Sequence, residues 1–247
     1  MGTWKPRSRP RRDTSAFVAG VFCATLADAA PAGASEIDLL LFGSLDAGAA
    51  SFLTTGAKVA FEGLDRPGFV VLASAGGGRR SESVACGCAR SVGVARYTAV
   101  GAALVGYQWF LDWGVVAAYA GPEGSIEALT DGRTAAVLPA RYGLRLHGEV
   151  WARPTAETLV QATAILGSAR EDAWGRIAWG VRAWDTYFGP EVSLYTDRTG
   201  YRKWNLGLHA TDFAFGRYSF RVSGGVQVES STRGASPYVA LSVWTPL

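Results

Sequence analysis

His147 stands two residues before Glu149, and His209 three before Asp212. A histidine beside a carboxylate is the base-and-orienter half of a nucleophilic hydrolase. The other half is a nucleophile on a strained elbow, and neither pair adjoins a Gly-x-Ser-x-Gly run. The expectation is therefore no catalytic residue, with each histidine a hydrogen-bonder in a polar interior; a lipid-modifying hydrolase is the alternative. Cys86 and Cys88 flank Gly87. In an oxidising compartment they can close a strained loop disulfide, because extended i,i+2 Cα atoms sit near the upper limit for bridging. Free thiols are the other reading. A metal needs further ligands close by, and none is near in sequence. No cofactor is expected.

The remaining polar residues form a pattern rather than a motif. Arg141, Arg145, His147 and Glu149 alternate with Tyr142, Leu144, Leu146 and Val150. Arg221 and Glu229 oppose Val222, Val226 and Val228, and Arg176 and Arg182 oppose Ile177 and Val181. Period two is a strand with one polar and one apolar face. Lys58, Glu62, Gln108, Tyr119, Glu123 and Glu191 are assigned to the same polar face. Tyr119 and Tyr195 could stack on sugar rings there.

The elements that carry these residues number about twelve. Strands are predicted near 36–46, 51–62, 67–77, 94–110, 113–123, 140–152, 157–168, 173–184, 188–196, 201–213, 217–230 and 236–245. Breakers such as Arg66-Pro67-Gly68, Arg153-Pro154-Thr155 and Phe215-Gly216 lie between them. Connections alternate between short and longer, with long ones expected at 78–93 and 124–139. An even strand count with alternating loop lengths fits an antiparallel up-and-down transmembrane β-barrel with both termini on the short-turn side.

Composition agrees. The chain has 247 residues, 31 of them Gly, with 12% aromatic and only 18% charged residues. That excludes a disordered chain. A mean hydropathy of +0.11 is too low for a bundle of membrane helices. The first twelve residues carry Lys5, Arg7, Arg9, Arg11 and Arg12 and no acid; Ala16 to Ala27 is largely apolar, and Ala32-Gly33-Ala34 is a small-x-small site. This reads as a secretory signal over 1–34, cleaved near Ala34/Ser35, ahead of a barrel over 35–247. Cleavage removes five basic and two acidic residues and leaves 19 of each. A neutral mature chain argues against a nucleic-acid partner, since phosphate binding needs a standing positive excess.

Periodicity alone does not say which face meets lipid. A soluble periplasmic β-sandwich or barrel that binds saccharide would bury the apolar face; a membrane barrel turns it outward. Tyr107, Trp109, Trp113, Trp151, Trp174, Trp184, Tyr187, Phe213, Phe215 and Trp244 fall near strand ends, as an interfacial girdle would. With the secretory signal, this favours a barrel in the bacterial outer membrane, with its lipid as partner.

Several short motifs occur in a fixed order: Gly106-Tyr107-Gln108-Trp109, Tyr119-Ala120-Gly121-Pro122-Glu123, Glu149-Val150-Trp151 with Pro154-Thr155, Gly189-Pro190-Glu191-Val192-Ser193, and Ala235-Ser236-Pro237-Tyr238-Val239. Over roughly 37–247 this order resembles the cellulose biosynthesis protein BcsS family, proposed outer-membrane barrels of cellulose-producing Gram-negative bacteria. The resemblance implies a non-enzymatic role in cellulose production or secretion, with components of the synthesis complex or glucan as partners. It supplies no catalytic residues. A polar passage and a docking element gripping partners through 78–93 and 124–139 are both compatible with it.

Overall fold

The computed structural model describes residues 38–86, 90–231 and 234–247. The proposed signal and Cys88 lie outside the described residues, and Cys86 is placed by its backbone alone. Thirteen strands are described: β1 (Asp38–Ala47), β2 (Ser51–Ala60), β3 (Gly68–Cys86), β4 (Arg90–Leu111), β5 (Gly114–Thr130), β6 (Ala135–Val137), β7 (Arg141–Thr155), β8 (Thr158–Gly167), β9 (Asp172–Ala183), β10 (Thr186–Thr196), β11 (Arg202–Phe215), β12 (Tyr218–Glu229) and β13 (Ala235–Pro246). Twelve of them pair antiparallel in one ring, closed by β1 against β13 and β4 against β5. The three-residue β6 is appended to the far end of β5. A closed barrel leaves no two-sheet sandwich, so the sandwich form of the alternative is overturned.

Side chains are distributed inside out. Leu144, Leu206 and Leu208 are 66%, 61% and 68% exposed on the outer face. The buried set includes Arg80, Arg96, Gln108, Glu123, Glu127, Gln161, Glu191, Arg221, Gln227 and Glu229. A soluble fold would hide that much branched aliphatic surface. The interior is not uniformly polar. Ala60, Val70, Leu72, Leu104, Ala117 and Tyr119 make an apolar cluster on the β2–β5 wall, joined by Phe42 and Leu64.

Two connections differ from expectation. The segment 78–93 is largely strand, because β3 and β4 run 19 and 22 residues and pair from Gly68–Gln108 out to Cys86–Arg90. The segment 124–139 is likewise largely strand, with β5 running 17 residues to Thr130 and then meeting β6. A bilayer needs only about 9–11 strand residues, so this three-strand sheet stands beyond the rim at the end away from the termini. The strand expected over 67–77 does not stop at the glycines but runs on through Gly78 to Cys86. In the fold a Cβ on Gly76 would lie 2.9 Å from the Phe52 ring, so glycine there makes room for an inward aromatic.

Tight turns close the opposite end. Trp184 and Asp185 both take left-handed backbone, with φ of 48° and 60°. That is the pattern of a two-residue hairpin whose twist matches its strands.

Candidate functional site

The lumen is the candidate site, and the strand period decides what enters it. Numbering the ring β1–β5 then β7–β13, β3 and β10 sit six places apart in twelve, on opposite walls. Arg80 projects inward from β3, and its Nη1 lies 2.5 Å from Oδ2 of Asp197, the residue after β10. Arg80 also donates to Thr199 Oγ1 at 3.0 Å and lies 4.1 Å from the Tyr201 ring centre. Glu82 accepts from Arg80 and from Arg96, Arg96 reaches Glu127 at 3.0 Å, and Arg170 reaches both Glu127 and Asp197. This network spans the lumen at the end away from the termini. Charges of alternating sign satisfy one another there, as groups taken out of bulk water must.

Asp197 lies in the connection beyond β10. Burial pushes its carboxyl up, but the Thr199 hydrogen bonds and Arg80 outweigh that and hold it below its ordinary 3.8.

The other mouth is crossed by rings. Trp151 on β7 and Trp244 on β13 also come from walls six places apart. Their centroids are 6.0 Å apart at 77°, an edge-to-face contact. Beside them the β2–β3 connection tucks under the lumen. Gln108 donates to the Gly63 and Arg66 carbonyls at 2.8 Å, and Leu64 N–H donates to Asp38 at 2.9 Å.

Between the two crossings lies a cavity of about 410 Å³ that Arg80 borders at one end and Trp244 at the other. Trp174 and Tyr195 are cross-strand partners on its wall. Arg176 lies 5.6 Å from the Trp174 ring centre. Arg145, His147 and Glu149 border the same space.

The sequence-derived residues separate into groups. Arg145 pairs with Glu123 at 2.8 Å, and His147 pairs with Glu149 at 3.1 Å and rests on Tyr119 at 5.4 Å. Lys58 Nζ lies over the same Tyr119 ring, 5.9 Å from its centre. Glu191 accepts from Arg221 and from Tyr238, and Arg221 also donates to Gln161. Glu229 accepts from Gln227. Arg141 is half-buried at the first position of β7.

Two residues lie elsewhere than expected. Glu62 is exposed in the β2–β3 connection, where it accepts from Phe69 N–H at 3.0 Å. Arg182 is exposed at the terminus-side rim and pairs with Asp185 of its own turn at 2.7 Å. Tyr119 is buried in the apolar cluster, so of the two proposed sugar platforms only Tyr195 borders the cavity. The His209–Asp212 pairing does not form. His209 meets Thr211 Oγ1 at 2.7 Å and the Trp179 carbonyl at 3.1 Å, while Asp212 meets Arg153 at 3.3 Å. Three residues apart on a strand, the two fall on opposite faces by period two alone, and a bulge between Thr211 and Phe213 leaves Asp212, at φ 70°, out of the ladder.

The girdle is also smaller than expected. Trp109, Trp113, Trp184 and Phe215 are exposed on the outside, and Tyr107 packs between Phe69 and Trp109. Trp151, Trp174, Trp244 and Tyr187 instead turn inward. Nearness to a strand end places an aromatic in height but not in face, and parity decides the face. The same parity, extended through the glycines, would have found Arg80 and Glu82 in β3.

The chain matches the family model for cellulose biosynthesis protein BcsS over residues 40–247. It belongs to that family. No curated protein matches it significantly. Among solved structures it is similar to the KdgM porin, at 11% identity with TM-score 0.43, covering 83% of this chain and 98% of the porin. It is also similar to the transport unit of the autotransporter AIDA-I from Escherichia coli, at 10% identity with TM-score 0.39, covering 89% and 92%.

Proposed function

We propose that this BcsS-family chain is a non-enzymatic outer-membrane barrel, exported by a signal cleaved near Ala34/Ser35, that assists cellulose secretion through a lumen closed at rest. The observation that carries the membrane reading is the inverted distribution of side chains. An apolar outer band around a charged interior suits lipid outside and a polar passage within. The closed state rests on the two crossings, Arg80–Asp197 at one mouth and Trp151–Trp244 at the other.

Family membership supports the link to cellulose and to the synthesis machinery as partner. The engagement of both His209 ring nitrogens by Thr211 and Trp179 supports a structural histidine over a catalytic one. The deciding experiment is outer-membrane fractionation with electrophoresis before and after boiling, followed by cellulose output in a deletion strain. A heat-shifted outer-membrane band and reduced cellulose are expected. A soluble protein without a shift, or unchanged cellulose, would sink the corresponding half of the reading.

A second reading is docking. The β3–β4–β5 sheet stands beyond the rim and exposes Tyr97, Ile126 and Val137. Shortening 83–94, which spares Arg80, Glu82 and Arg96 of the crossing, while keeping the barrel folded separates the two. Loss of cellulose with an unchanged lumen would favour docking.

A further inference from the structure

We propose that the cavity between the two crossings is a binding site for a short neutral gluco-oligosaccharide, seated on the Trp174–Tyr195 shelf. The proposal rests on the cellulose-related reading above and names the ligand of that lumen.

The shelf is the first support. Trp174 and Tyr195 lie directly opposite each other on β9 and β10 and face the same space. Arg176 lies 5.6 Å from the Trp174 ring centre, Arg170 5.9 Å from that of Tyr195, and Tyr201 6.0 Å from Tyr195; the parts of the two rings turned to the cavity are the apolar surface for the C–H face of a pyranose. The facing wall brings small hydroxyl residues, Ser44, Thr54 and Ser74, which leave width and supply hydrogen-bonding groups. The volume, about 410 Å³, lies in the range of small-molecule sites.

Charge selects a neutral ligand over an anionic one. The cavity is bordered by several arginines, but almost all are already matched. Arg80, Arg96, Arg145 and Arg170 each pair with a carboxylate, and Lys203 pairs with Asp46 at 3.2 Å. A polyanion would have to break these pairs, at the cost of stranding buried carboxylates. The remaining charges on the cavity are also balanced in sign. Among the described residues Arg176 has no carboxylate within ion-pair distance and meets the Trp174 ring instead. Against it stands Glu149, which also borders the cavity and whose ion-pair partner is His147; Asp172 lies 3.9 Å from Arg170 with its Oδ1 buried in the wall. The Arg176 guanidinium can donate to a sugar hydroxyl, and the serine and threonine hydroxyls of the facing wall can both give and take a hydrogen bond.

The test uses the folded full-length barrel in detergent, titrated with cellotetraose and, separately, with oligogalacturonate, followed by calorimetry. Saturable binding of cellotetraose is expected. Trp174→Ala should weaken it about tenfold or more, while Trp184→Ala on the outer rim should leave it unchanged. Asp197→Asn opens the nearer crossing and keeps Arg80 paired with Glu82; it should speed association. A heat shift retained in each variant shows that the barrel folds. Absence of cellotetraose binding in both wild type and Asp197→Asn overturns the proposal, as does binding of oligogalacturonate alone. Unchanged cellulose in a deletion strain would overturn the secretion role without touching the binding result, so the two failures are distinguishable.

Discussion

Arg80 and Asp197 meet across the full width of the barrel, from strands on opposite walls and 117 positions apart in sequence. Trp151 and Trp244 do the same at the other mouth. The two crossings are made of different chemistry, and the proposed closed state makes them barriers in series.

Barriers in series predict non-additive conductance. In planar bilayers, wild type, Asp197→Asn alone and Trp151→Ala with Trp244→Ala are each expected to be silent. The three changes together should conduct. Conductance from either set alone would show that the other crossing is no barrier. Silence of the combined variant would mean that the lumen is filled rather than gated.

Acid should release the ionic crossing, and the direction follows from Asp197. Its folded carboxyl titrates below the ordinary 3.8. A depressed group contributes stability that is fully present above its unfolded value and is lost as pH falls through the folded value. The Asp197 contribution to thermal stability, read as the difference between wild type and Asp197→Asn, and the sugar association rate should therefore be flat from neutral pH to about pH 5. Both should change only below the ordinary carboxyl range, and the association rate of Asp197→Asn should lack that change. A transition near pH 6–7 would point to a histidine instead.

Leu208 tests which solvent the outer face meets. It is 68% exposed at mid-strand on β11. In lipid, Leu208→Arg should lower stability by about 2–4 kcal/mol, measured by denaturant titration in vesicles. In a soluble protein the same change at so exposed a position would be close to neutral. A negligible effect in vesicles would mean that the band does not face acyl chains.

The Trp184–Asp185 turn holds two non-glycine residues in left-handed backbone. Asp185→Gly should stabilise the barrel by on the order of 1 kcal/mol, by relieving that strain. The exposed Arg182–Asp185 pair it removes is screened by solvent and worth little. A loss of stability in the same titration would show that the pair, not the backbone, dominates.

Much of the architecture is written in local pattern. Strict alternation in 141–151 and 217–229 specifies strands with one apolar face, because successive side chains point to opposite sides whatever the surroundings. Strand number and family follow from that pattern and from the order of short motifs. Strand length at β3 to β5 is less visible. The pattern ends the strand at Gly77, and only the fold shows β3 continuing past glycines whose missing side chains leave the space that Phe52 occupies.

The sequence alone thus settles that a polar row lies on one face of each strand, since period two is a property of the chain. It does not settle which rows meet. Arg80 with Asp197, Trp151 with Trp244, and Trp174 beside Tyr195 are decided by closure of the ring and by register. Closure sets which strands stand opposite, and register sets the height at which their side chains arrive. Those are relations between distant segments, and they exist only once the barrel has closed.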